Sequence, residues 1–241
     1  MDTKLDMYNA PIMRPLFARL TDHALAGVDH AALGAGDLAL GQICGIDYVR
    51  APAGHYHYLA TFSVADTSFP AGHYNSLLVA TKGAGFDLMR DYDAATTPVA
   101  INQAGSFSGA LALKANLMDA GLDLPEAVKF SGGHLASMEM VAEGQAALAA
   151  IDRLSFAMAR AQSPDMVAGV DVVGETAMVP GLPFICSPKL PAEARAQVTA
   201  NLLSLPEAAF WPELAAALAL RGVDAINPAA YDAIRAVDAR V

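Results

Sequence analysis

Ser106 and Ser108 stand two residues apart in "NQAGSFSGALAL" (residues 102–113), among glycines, after the short apolar run "TPVAI" and before an alanine- and leucine-rich run. A strand that turns through glycine and serine into a helix leaves several backbone N–H groups unpaired at the helix start. Those donors, the positive end of the helix dipole and the two hydroxyls can together hold a small anion. The same residues also serve as a plain helix cap, which is the commoner use of serine there. The spacing matches neither the dinucleotide fingerprint G-x-G-x-x-G nor the phosphate loop that ends in Gly-Lys-Ser/Thr.

A second turn of this kind, "FSGGHLASMEM", places Ser131, Gly132, Gly133 and then His134 at a helix start. An imidazole there can donate to an anion's oxygen or cap its own helix. Asp152 ends the apolar run "ALAAID", at the carboxyl end of a strand, where the ligand crevice of an open α/β sheet lies. It can accept from a ligand hydroxyl or amine, or cap the following helix. Tyr74 in "AGHYNS" can wall a cleft. His55 and His57 in "HYHY" would share one face of a strand, but no third ligand accompanies them and no metal site is expected. Serine, histidine and aspartate are all present without a G-x-S-x-G elbow, so a catalytic triad is not expected either.

These residues need elements to position them, and the chain supplies alternating strand-like and helix-like segments, the mark of an α/β fold. "PIMRPLFARLTDHAL" spaces Met13, Leu16, Phe17 and Leu20 as a helix does. "LALGQICG", "HYHYLATFSV", "YNSLLVAT", "TPVAIN", "ALAAID", "VDVVGET" and "LPFICS" read as strands. Helices follow at "SGALALKANLMDAG", with Gly121 as its stop, and at "LASMEMVAEG" and "RLSFAMARAQ". The last fifty residues read as helical, with Pro191 and Pro228 in first turns and Asn227 as an N-cap.

Composition narrows the function. The chain has 241 residues, 54% hydrophobic and 17% charged, ample for buried cores. A net charge of −10 with only 15 basic residues argues against nucleic acid, whose backbone demands clustered Lys and Arg. No stretch reaches the roughly 18 apolar residues of a membrane helix, so no membrane insertion is expected. Cys44 and Cys186 sit far apart in apolar contexts, without metal spacing, and read as two free buried thiols. The opening residues lack the pattern of a secretory signal, so a cytoplasmic chain is expected, or a periplasmic one if a leader has been trimmed.

"FSGGHLASMEMVAEGQAALAAID" followed by "PGLPFICS", together with "MYNAP", "LGQICG", "GHYNSLLVA" and "INQAGSFSGALAL" in the same order, resembles the phosphate/phosphonate ABC-transporter substrate-binding protein family. The resemblance implies a type II periplasmic-binding-protein fold: mixed sheets flanked by helices in two lobes, with the ligand cleft at the hinge. Residues 1–78 plus 184–241 would form lobe 1 and residues 79–183 an inserted lobe 2. It also implies a small anionic ligand, held by Ser106, Phe107 (through its backbone N–H), Ser108, Gly109, His134 and Tyr74. Tyr8, Gln42 and Cys44 would line the opposite lobe, and Asp152 would approach the ligand's far side. The implied partner is a transporter permease, with no cofactor and no catalysis. Two residues depart from the family's pattern: Leu182 stands where phosphonate transporters tend to carry an acid for a ligand amine, and Phe107 fills a slot often held by a small polar residue. Two rival readings are a cytoplasmic sensor and a thiamine-pyrimidine-synthase-like enzyme on the same fold. The enzyme would need a cofactor-linking lysine, and Lys4, Lys82, Lys114, Lys129 and Lys189 lie in no such motif.

Overall fold

Short apolar runs become strands and amphipathic runs become helices, in the order the sequence suggests. The computed structural model describes residues 2–8, 10–29, 31 and 33–241, so Asn9 of "MYNAP" lies outside the described residues. The chain begins β1 (Asp2–Lys4), α1 (Met13–Ala24), β2 (Leu38–Gln42), α2 (Gly45–Arg50), β3 (His57–Val64) and β4 (His73–Tyr74). It continues through β5 (Ser76–Thr81), α3 (Leu88–Asp91), β6 (Val99–Ile101) and a π-helical turn (Phe107–Leu111) that runs into α4 (Ala112–Asp119). Next come β7 (Val128–Phe130), α5 (His134–Ala142), β8 (Leu148–Asp152), α6 (Arg153–Gln162), α7 (Pro164–Ala168) and β9 (Val170–Glu175). The remainder is β10 (Val179–Pro180), β11 (Pro183–Cys186), α8 (Ala192–Leu203), α9 (Trp211–Leu218), β12 (Leu220–Asp224) and α10 (Asp232–Asp238).

Two units result: residues 1–74 with 179–233, and residues 75–178 with 234–241. The sequence reading placed all of 184–241 in the first lobe, whereas the last eight residues belong to the second unit. Arg240 explains the attachment: its guanidinium grips Asp119 through both nitrogens, at 2.8 and 2.9 Å.

In unit 2 a five-stranded sheet runs β7-β6-β8-β5-β9, with β6 parallel to β7 and β8, and β5 antiparallel to β8 and β9. Strand alternation splits its side chains between two cores. Leu77, Val79, Ala149 and Ile151 pack with Met138, Val141 and Phe156 on one face. Leu78, Leu148, Ala150 and Ile101 pack with Leu113, Leu117 and Tyr92 on the other. Both faces are covered, which is why "LAAI" reads as an unbroken apolar run.

Unit 1 holds a second five-stranded sheet, β1-β2-β11-β3-β12, in which β11 is antiparallel to both β2 and β3. The short pair β4–β10 joins Tyr74 to Val179. Met13, Leu16, Phe17 and Leu20 form the buried stripe of α1, as their spacing requires. The helical reading of the C-terminal fifty residues needs correction, because β12 lies within them, antiparallel to β3. Helix α9 ends on Ala219, which takes a left-handed conformation (φ 51°) where glycine is usual, so the sequence carried no stop signal there. The expected histidine pair is also absent: His57 opens β3, while His55 precedes it and sits edge-on to Tyr56. No cluster of three potential metal ligands occurs among the described residues, and Cys44 and Cys186 form no disulfide; Cys186 is buried as expected, while Cys44 is only half-buried.

Gly72 is a tight point of unit 1. Its φ is +67°, and a Cβ there would fall 2.7 Å from both Ile226 and Thr61. Its N–H donates to Ser63 Oγ at 2.6 Å, and its carbonyl accepts from Gly181 N–H at 2.8 Å. Gly72→Ala combines overpacking with a disfavoured φ and is expected to destabilise by roughly 2–4 kcal/mol. Denaturant titration checks this; a change within about 0.5 kcal/mol would contradict the contact analysis.

Candidate functional site

The end of β6 leads directly into the serine turn. Ser106 is the N-cap residue, its hydroxyl accepting from Gly109 N–H at 3.2 Å. The helix then opens with a π turn: the Ser106 carbonyl accepts from both Ala110 N–H (3.2 Å) and Leu111 N–H (3.1 Å). Such turns are rare and concentrate at functional sites, because they widen the helix and re-aim its residues. The first amides of the helix, those of Phe107 and Ser108, have no intrahelical acceptor by construction. Phe107 and Ser108 are both buried, at 2% and 6% exposure, so these groups sit in a poorly hydrated place.

The second turn is fastened to the same strand end. Ser131 N–H donates to the Ile101 carbonyl and Gly132 N–H to the Asn102 carbonyl, both at 2.9 Å. Gly132 needs a φ of +87° to make that turn. Ser131 Oγ lies 2.6 Å from Ser137 Oγ, tying the turn to the first helical turn of α5. His134 is thereby delivered to the serines, with its Nε2 2.9 Å from Ser108 Oγ.

Asn102, which the sequence reading did not single out, joins the two turns. Its Nδ2 donates to Ser106 Oγ at 3.0 Å and lies 3.4 Å from His134 Nε2. A Cβ on residue 109 would stand 2.0 Å from Asn102 Oδ1 and 3.2 Å from His134 Cε1. Gly109 therefore has a packing reason to be glycine. Asn102 follows a strand and precedes a glycine-containing turn, a position that by itself suggests only a turn former.

Asp152 closes β8 and is 2% exposed. Its Oδ1 accepts from Ser155 N–H at 2.9 Å, so it caps α6, one of the two roles its position allowed. Unit 2 thus brings together Ser106, Phe107, Ser108, Gly109, His134 and Asp152. Tyr8, Gln42 and Tyr74 belong to unit 1. Tyr8 is buried and stacks on Phe17 at 6.5 Å, and Tyr74 is buried in β4. Gln42 has no exposure at all, and neither amide atom has a hydrogen-bond partner among the described residues. A buried amide left unsatisfied costs about 1–3 kcal/mol.

Burial holds the His134 imidazole neutral, pushing its pKa down to about 4, with a small opposing effect from the Ala150 carbonyl. The unfolded chain, with histidine near its ordinary 6.5, gains a proton as pH falls through that value while the folded chain does not. Stability is therefore present above about pH 6.5 and is lost toward pH 4, by at most roughly 3 kcal/mol since the residue keeps partial exposure. Unfolding titrations of the wild type and His134→Gln across that window are expected to show a steeper acid loss in the wild type. Parallel curves would show that the ring titrates normally.

The chain matches the family model described as the periplasmic substrate-binding protein of a phosphonate ABC transporter, over residues 29–233. A comparison with curated protein sequences finds no match. Among solved structures it is similar to the binding component of an ABC phosphonate transporter from Pseudomonas aeruginosa. The TM-score is 0.76 and identity 17%, covering 98% of this chain and 84% of that one. It is also similar to PhnD1 from Prochlorococcus marinus, solved with methylphosphonate, with TM-score 0.70 and 14% identity over 93% and 82% of the two chains. MatC from Rhodopseudomonas palustris, solved with malate, gives TM-score 0.63 and 12% identity over 99% and 96%. At such identities the structures establish the fold, a type II periplasmic-binding-protein fold, while the family model spans most of the sequence. The chain belongs to the family of periplasmic phosphonate-binding components of ABC transporters.

Proposed function

We propose that the chain captures a small oxyanion, a phosphonate or phosphate in kind, on the serine turn of unit 2 and delivers it to a transporter permease. The observation that carries this reading is the meeting of Ser106, Ser108, the opening amides of a π-widened helix and His134 at one strand end. All are neutral hydrogen-bonding groups, and they suit an anion whose charge is spread over several oxygens. Asp152, at the end of the neighbouring strand β8, adds an acceptor, and Tyr74, Tyr8 and Gln42 are the proposed contributors from unit 1. Leu182, buried at 6% exposure, offers nothing to a ligand amine, which favours an unsubstituted oxyanion over an aminoalkylphosphonate. No helix among the described residues is long and apolar enough to cross a membrane, so delivery would need a separate membrane partner.

A thermal-shift screen with methylphosphonate, phosphate, sulfate and malate tests the reading. A ligand at one hundred times its Kd adds about 2.7 kcal/mol of stability. Stabilisation by malate alone would overturn the oxyanion assignment. Replacing Ser106 and Ser108 together by alanine is expected to weaken methylphosphonate binding at least about 100-fold by calorimetry, at about 1.5–3 kcal/mol for each hydrogen bond to a charged group. Gly109→Ala is expected to weaken it at least tenfold (about 1.4 kcal/mol) by displacing Asn102. Gln42→Leu is expected to stabilise the unliganded protein by about 1–3 kcal/mol while weakening binding. Unchanged affinity in that variant would remove Gln42 from the site.

A further inference from the structure

Unit 1 carries an open groove of about 600 Å3 between α8, the start of β3 and the residues that follow β12. Its walls are apolar: Ala192, Ala196, Ala200 and Leu203 on α8, Leu59 on β3, and Ile226. Leu203 remains 39% exposed there, so the groove is open to solvent. Sites for small molecules have this size and this make-up, a mostly apolar lining with a few polar groups that fix orientation. The serine turn belongs to unit 2, and the groove shares no residue with it.

The polar side chains of the groove are Tyr58, Thr199 and Arg195. The Tyr58 hydroxyl accepts from Ile226 N–H at 3.2 Å and donates to the Asp224 carbonyl at 3.3 Å. Thr199 Oγ1 donates to the Arg195 carbonyl at 3.0 Å. The Arg195 guanidinium is left: the residue is half-buried, and its side chain has no ion-pair or hydrogen-bond partner among the described residues. On a helix the side chains within reach are those three and four residues away. For Arg195 these are Pro191, Ala192, Val198 and Thr199, none of them acidic. Glu193, two residues away, faces elsewhere.

Two titratable groups that feel the guanidinium supply no counter-charge. Burial lowers the pKa of His57 below its ordinary 6.5, and the Arg195 charge pushes the same way. Burial pushes the Cys186 thiol up to about 11, against a smaller opposite pull from Arg195. Imidazole and thiol are therefore both uncharged at neutral pH. One guanidinium stands without a matching charge beside an apolar groove, and its planar fork fits a carboxylate.

We propose that this groove is a second ligand site, for an aliphatic monocarboxylate: the carboxylate pairs with Arg195, and the alkyl chain lies along Leu59, Ile226 and the alanines of α8. Arg195 sets the class, because the other polar side chains of the groove already have partners. A ligand with a second charge or several hydroxyls would set unmatched polar groups against apolar walls, which is costly. A purely apolar ligand would cover the walls and leave the guanidinium unpaired.

Calorimetry of the full chain with octanoate, butyrate and 1-octanol tests the proposal. Octanoate is expected to bind more tightly than butyrate, by about two- to fourfold for each added methylene, through burial of the chain. Arg195→Gln is expected to weaken octanoate at least about tenfold and to bring it level with 1-octanol. Thr199→Glu, which sets a carboxylate one helical turn from Arg195, is expected to weaken octanoate to a similar degree. The double variant Ser106→Ala, Ser108→Ala is expected to bind octanoate as the wild type does. Octanoate binding that is absent from the wild type, indifferent to chain length, insensitive to Arg195→Gln, or lost in the serine variant overturns the site.

Discussion

The amide of Asn102 occupies the space in which any side chain at residue 109 would begin, and the rest of the turn follows from that contact. The missing Cβ lets the helix start close down on the end of β6. The closeness lets one side chain reach both Ser106 and His134. The backbone carbonyl of the same asparagine receives Gly132 N–H, so the histidine turn hangs from the residue that holds Ser106. Two loops far apart in sequence are thus referenced to a single strand terminus. A site fixed to rigid elements in this way holds its geometry better than one carried on free loops.

An anion held by such a turn meets no charged side chain among the residues the turn brings together, apart from the carboxylate of Asp152. The chain carries a net charge of −10, so long-range attraction of an anion is not what the protein offers. Recognition would rest on oriented dipoles in a poorly hydrated place, where each hydrogen bond is strong and an unmatched group is costly. Such interactions act at contact distance and are screened by salt far less than those between exposed charges. Selectivity then comes from which groups donate and which accept, a matter of geometry more than of total charge.

Much of this was legible in the sequence. The short apolar runs of β5 and β8 and the helical spacing of α1 put those elements where they are found. The serine and histidine turns were visible as glycine-rich strand-to-helix junctions. The role of Asn102 was not, because it depends on a contact with Gly109 that composition does not encode. Neither was the neutrality of His134, which comes from burial by elements distant in sequence. Strand β12 was hidden by Ala219, which ends α9 in a conformation that normally calls for glycine. Gln42 entered through family resemblance alone, and its unsatisfied amide supplies a physical reason for attention that no local pattern contains.

The π turn at Phe107–Leu111 holds one more residue than an α-helical turn over the same span would. Removing a residue there would restore a regular helix and rotate everything before it by about 100° relative to α4. The serines would then face a different neighbour while the buried stripe of Leu113 and Leu117 stayed in place. The extra residue is a phase correction between two demands on one helix, the packing of its body and the aim of its first turn. A lineage that gained or lost it would change the aim of the serines without disturbing the packing of the helix body.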